Sequence, residues 1–126
     1  MFEESIVYVV DDDEQARASV CALVQSMNLQ AQAFESAEEL LEKVTQFSRG
    51  CIVSDLRMLG MSGIELQAEL LERDIFVPVI IITANPTTPT TVKAMRRGAV
   101  TLLEKTYEDD ALWDAIREAL RLCDSV

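Results

Sequence analysis

Apolar residues along the chain fall into two patterns that take turns. The first is the short unbroken run. Ile6-Val7-Tyr8-Val9-Val10 has no polar interruption, as expected of a strand covered on both faces in a parallel sheet. Ala31–Phe34, Cys51–Ser54, Val77–Ile82 and Thr101–Glu104 predict four more strands, the fourth with Pro78 near its start, where a strand tolerates it. The second pattern has the period of a helix. Val20, Leu23, Val24 and Met27 fall at i, i+3, i+4 and i+7, one face of an amphipathic helix. Ser36-Ala37-Glu38-Glu39 reads as a capping box opening a helix whose stripe is Ala37, Leu40, Leu41 and Val44. After a loop through Gly60 and Gly63, Ile64, Ala68 and Leu71 mark a third helix. A loop with Pro86 and Pro89 leads to a short helix, Thr91–Arg97, which Gly98 stops. Leu112, Ile116, Ala119, Leu120 and Cys123 give the last helix its buried stripe.

Five strands alternating with five helices, through connections too long for hairpins, predict an α/β fold. It is a doubly wound five-stranded parallel sheet with helices on both faces and right-handed crossovers. The 126 residues suit one domain, here residues 1–126. In such sheets ligands bind beyond the carboxyl ends of the strands, where the strand order reverses.

Composition narrows the function classes. With 11 Lys and Arg against 22 Asp and Glu the net charge is -11, which repels nucleic acid and anionic membranes. Direct nucleic acid binding and a membrane partner are therefore not expected. Cys21, Cys51 and Cys123 sit in apolar contexts without CxxC spacing, and the chain has no His, so zinc is not expected. Free thiols suit a reducing cytoplasm. Glu3 and Glu4 stand where a signal peptide carries basic residues, which also points to a cytoplasmic protein.

The chemistry gathers at the predicted strand ends. Asp11, Asp12, Asp13 and Glu14 follow the first strand, Asp55 the third, Thr83 the fourth and Lys105 the fifth. Each alone reads as a helix cap, a turn residue or a solvated charge. Together on one edge they read as a site. Several close carboxylates do not all ionise cheaply without a cation among them or some protonation. Oxygen donors without His or Cys select Mg²⁺. A lysine and a threonine hydroxyl facing that cation are what a phosphoryl group's remaining oxygens need. The expectation is a phosphoryl group with a carboxylate as nucleophile.

Val9-Val10-Asp11-Asp12, Ser54-Asp55-Leu56-Arg57-Met58, Met61-Ser62-Gly63, Ile82-Thr83-Ala84, and Gly98-Ala99 followed by Glu104-Lys105 resemble the receiver domain of bacterial two-component response regulators, over essentially the whole chain. The pattern is most similar to the FixJ-like branch. The resemblance implies a CheY-like, flavodoxin-like architecture and a phosphoacceptor role in signal transduction. Asp55 would take the phosphoryl group from a sensor histidine kinase or a phosphotransfer protein. Mg²⁺ would be held by Asp12, Asp55 and the backbone carbonyl of Arg57, with Asp11 acting through water. Thr83 and Lys105 would each contact a phosphoryl oxygen. Output would be a changed surface on the fourth helix, fifth strand and fifth helix, so the domain would assist its own phosphotransfer and dephosphorylation without being a turnover enzyme. A homodimer through the fourth helix and fifth strand is expected, Arg96 and Arg97 meeting Glu108 and Asp109 of a second copy.

Three positions depart from that pattern. Leu59 and Gly60 stand where the family usually has Pro and often Asp, so a looser loop is expected. Leu102 replaces an aromatic rotamer switch. Thr106 replaces a cis proline after the lysine; the expectation there is a trans bond, a displaced loop, and Lys105 still reaching Asp55 through its flexible stem. Two alternatives stay open. A haloacid-dehalogenase-like Mg²⁺ phosphatase would use an acid after the first strand as nucleophile, although Gln15 stands where it needs Thr or Val. A receiver-like interaction module with a defective switch would keep the fold without the coupling.

Overall fold

The computed structural model describes residues 5–84, 88–96, 98–99, 101–105 and 107–124. The expectations for Glu3, Glu4, Pro86, Arg97 and the peptide bond to Thr106 lie outside those residues. In chain order the elements are β1 (Ile6–Val10), α1 (Glu14–Ser26), β2 (Gln30–Phe34), α2 (Ala37–Leu41), β3 (Gly50–Asp55), α3 (Gly63–Glu72), β4 (Val79–Thr83), α4 (Thr88–Arg96), β5 (Thr101–Glu104) and α5 (Asp109–Asp124). The strands form one parallel sheet in the order β2-β1-β3-β4-β5. The doubly wound α/β architecture is thus the observed one.

Because side chains alternate across a strand, each strand feeds two cores. Val7 and Val9 of β1, Cys51 and Val53 of β3, and Ile80 and Ile82 of β4 pack with Val20 and Val24 of α1 and Leu112, Ile116 and Leu120 of α5. Tyr8 and Val10, Ile52, and Val79 and Ile81 pack on the opposite face with Leu40 of α2, Leu66 of α3 and Ala94 of α4. Leu40, Leu66, Leu112, Ile116 and Leu120 are fully enclosed. Water is thereby removed from both faces of the middle strands, which leaves the strand ends as the polar surface of the sheet.

Several boundaries differ from the sequence expectation for physical reasons. β4 begins at Val79 rather than Val77; Pro78 lacks an N–H and offers only its carbonyl, which accepts from Ile52 N at 2.9 Å. β3 extends to Asp55, whose ladder partner is Ile82. α4 starts at Thr88 and contains Pro89 in its first turn, where the missing N–H costs no helical bond. α3 buries Gly63, Ile64, Leu66, Gln67 and Leu70, while Leu71 is half exposed. Of the predicted stripe Ile64 is buried as expected, Ala68 is half-buried and Leu71 is exposed; the rest of the buried face is supplied by Leu66, Gln67 and Leu70, so a glutamine takes part where an apolar residue was expected.

Gln67 has a packing role of its own. Its amide Nε2 donates to the carbonyl of Ala94 at 3.3 Å. That carbonyl also accepts from Ala99 N at 3.2 Å while Gly98 N donates to Met95 O at 3.1 Å, and Gly98 has φ +91°. These bonds are a Schellman stop for α4, and Gln67 ties the stop to α3.

Candidate functional site

The strand order reverses between β1 and β3, the point where a doubly wound sheet opens a crevice. Asp11 and Asp12 leave β1 there, and Asp55 ends β3 beside them. Asp11 and Asp55 are buried, Asp12 is exposed, and one carboxylate oxygen from each lies within 4.8 Å of the others. Three hard oxygen donors at this spacing, with no nitrogen or sulfur among them, fit Mg²⁺. Arg57 stands exposed two residues beyond Asp55.

Local structure accounts for the placing of each acid. Asp13, not Asp11 or Asp12, is the N-cap of α1, accepting from Gln15 N. Asp11 turns back to accept from Asp13 N at 2.9 Å, and Arg17 holds the Asp11 carbonyl at 2.8 Å. The capping role is thus discharged by the third acid, which frees the other two to face Asp55. On the β3 side, Gly63 N donates to Leu56 O at 2.9 Å, and a Cβ at Gly63 would lie 2.8 Å from the Asp55 carbonyl oxygen. Only glycine lets α3 start this close to the strand end, which explains the Met-Ser-Gly segment in physical terms.

Thr83 ends β4 almost fully buried, and its carbonyl accepts from Lys105 N at 2.8 Å. That bond brings the two residues to one place. Lys105 Nζ lies 3.2 Å from Asp55 Oδ2 and 3.8 Å from Asp11 Oδ2, so the expected reach of Lys105 to Asp55 is observed. Burial works against the Lys105 charge, but the bond to Asp55 and the nearby charges of Asp55, Asp11 and Asp13 outweigh it and hold the ammonium above its usual range. Burial likewise pushes the Asp11 carboxyl above the usual carboxylate range, reinforced by the charge of Asp55. One ammonium pairs with two of the three clustered carboxylates, and the excess negative charge is what a divalent cation would neutralise.

The structure therefore brings together Asp11, Asp12, Asp55, Thr83 and Lys105. It also shows participants that sequence reasoning missed. Tyr107 lines a cavity of about 190 Å³ beside the acids with Asp11, Ser19, Val20, Ile82 and Lys105. Leu59 N donates to Asp12 Oδ2 at 3.0 Å, and Met61 N reaches Glu38 Oε2 at 3.4 Å. The β3–α3 loop, expected to be looser for want of proline, is moored by these two bonds. The proline that is missing would have removed the first of them.

Comparison with known proteins agrees with this geometry. The family described as "Response regulator receiver domain" matches residues 7–117. Response regulator protein TmoT of Ectopseudomonas mendocina is 38% identical over 120 residues, covering 95% of this chain and 54% of that protein. Nodulation protein W of Bradyrhizobium diazoefficiens is 41% identical over 113 residues, covering 90% of this chain and 50% of that protein. Among solved structures, FixJ-N superposes with a TM-score of 0.86 at 36% identity, covering 94% of this chain and 95% of that one.

The chain belongs to the response regulator receiver domain family. It is a domain of two-component signalling with the CheY-like fold. It spans about half the length of the curated relatives it matches. Among the described residues no helix is long and apolar enough to cross a membrane.

Proposed function

We propose that this chain is a phosphoacceptor of a two-component system, taking a phosphoryl group on Asp55 from a sensor histidine kinase or a phosphotransfer protein in the cytoplasm. The observation that carries the reading is Lys105 Nζ at 3.2 Å from Asp55 Oδ2, with the carboxylates of Asp11 and Asp12 beside it at the reversal of strand order. Asp55, Asp12 and the Arg57 carbonyl would hold Mg²⁺, with Asp11 through water. When bound, the cation neutralises charge on the transferring group. A carboxylate oxygen of Asp55 attacks phosphorus and the donor nitrogen leaves with the bond electrons, so the product is an acyl phosphate. Lys105 meets one of its oxygens and the Thr83 hydroxyl another. Asp55 is favoured over Asp11 as nucleophile because it ends the central strand β3, where Lys105 Nζ lies nearer to it, at 3.2 Å, than to Asp11, at 3.8 Å.

The output follows from the same contacts. Drawing Thr83 and Lys105 toward the new phosphoryl group biases the surface of α4, β5 and α5 between pre-existing arrangements, so the domain signals without releasing a product. On α4, Val92 and Met95 are exposed beside exposed Lys93 and Arg96, a surface suited to a phosphorylation-dependent homodimer in which the basic residues meet Glu108 and Asp109 of the second copy. A second reading, acceptance without the usual switch, is favoured by Leu102, which packs on the core where the family has an aromatic residue.

Incubation with acetyl phosphate and Mg²⁺ should give a base-labile adduct that Asp55→Asn and removal of Mg²⁺ both abolish, together with self-association measured by scattering. An adduct of equal yield in Asp55→Asn refutes the assignment of the acceptor. An adduct with no change in association supports the second reading.

A further inference from the structure

The bond from Leu59 to Asp12 joins residues 47 positions apart at 3.0 Å. The Leu59 side chain is 83% exposed, so burial gives no account of the residue; the part of it engaged by the fold is its main-chain N–H. Asp12 is the exposed member of the acid trio, with a carboxylate that would otherwise turn freely in water. A donor on Oδ2 restrains the plane of that carboxylate while a lone pair stays available for a cation. Carboxylates that ligate metals are held in this way by hydrogen bonds from outside the coordination sphere, and losing such a partner typically costs about 10- to 100-fold in metal affinity.

We propose that the main-chain N–H of Leu59 is a positioning group for Mg²⁺: it orients Asp12 toward the shared site of Asp11 and Asp55. The inference rests on the metal reading above and deepens it. A proline at this position supplies no such donor, so this chain orients Asp12 by a means that a proline-bearing loop lacks. The Met61 to Glu38 bond, at 3.4 Å, moors the same loop to α2 and keeps the Leu59 amide facing Asp12.

The test is a calorimetric titration of Mg²⁺ into the protein, into Leu59→Ala, into Leu59→Pro, and into a form in which the amide preceding Leu59 is replaced by an ester. Leu59→Ala keeps the donor and should bind Mg²⁺ within about two-fold of the parent. Leu59→Pro and the ester form should both bind about ten-fold more weakly. The ester keeps the side chain and imposes no ring, so it decides the matter if the proline variant folds poorly. The Leu59 amide should also exchange with solvent more slowly in the Mg²⁺-bound protein, a change that a purely structural loop tether does not require. Equal affinity in the ester form, or faster exchange on adding Mg²⁺, overturns this proposal and leaves the metal reading standing. A parent protein that takes up no Mg²⁺ overturns both.

Discussion

Gly63 shows at the scale of one residue how packing and chemistry meet. Alanine is the better helix former by about 1 kcal/mol in a helix interior, so propensity alone argues for Gly63→Ala. The added Cβ would lie 2.8 Å from the Asp55 carbonyl oxygen and 3.1 Å from Ile81 Cδ1, and overpacking of this kind costs about 1 to 3 kcal/mol. The clash is against backbone, which yields less than a side chain does, so Gly63→Ala should lower stability by about 1 to 2 kcal/mol in chemical denaturation and weaken Mg²⁺ binding by shifting Asp55. Unchanged stability would mean that α3 can recede at no cost. Asp11, Asp12, Asp55, Thr83 and Lys105 were legible in the sequence because each carries its chemistry in its side chain and follows a strong apolar run. The Leu59 donor was not legible, because a main-chain N–H belongs to every residue but proline and only the fold decides which one is used.

At the scale of the element, α3 opens with a complete capping box: Glu65 N donates to Ser62 Oγ and Ser62 N to Glu65 Oε1. The Ser62 backbone bond, followed by the bond to the Ser62 side chain, holds the Glu65 carboxyl below its ordinary 4.5. A carboxyl whose folded value is depressed contributes stability that is complete above its unfolded value and is lost as pH falls through the folded one. Glu65→Gln keeps the geometry of the box without the charge. The melting temperature of the parent should therefore exceed that of Glu65→Gln above about pH 5, and the difference should vanish in strongly acidic solution. A constant difference across that range would show that charge is not the source. Element order and strand number were legible in the alternation of short apolar runs with helical stripes. The start of α4 was not, since Pro89 reads as loop until one sees it in the first turn of a helix. The burial of Gln67 on α3 was missed because a glutamine reads as surface until its amide is seen on the Ala94 carbonyl.

At the scale of the whole molecule, a chain with a net charge of -11 gathers three acids within 4.8 Å of one another, two of them buried. A cation that binds the folded form alone raises stability by about 2.7 kcal/mol at one hundred times its dissociation constant. For a domain of this size that is on the order of 8 °C in melting temperature. Mg²⁺ should produce such a rise, a chelator should reverse it, and a flat response in calorimetric scans would count against a metal site at the trio. The bonds at the end of α4 have a mechanical consequence for the proposed switch. The last turn of α4 is fastened to α3 through Gln67 and stopped at Gly98, so a displacement of the helix in the proposed switch would meet more resistance at that end than at Thr88. Under the proposed phosphoacceptor function, a small inward pull at Thr83, which precedes the other end of α4, would be geared up by leverage: the arc would be widest near Thr88 and shrink toward the fastened end, so a sub-ångström event at Asp55 would become a change of tilt.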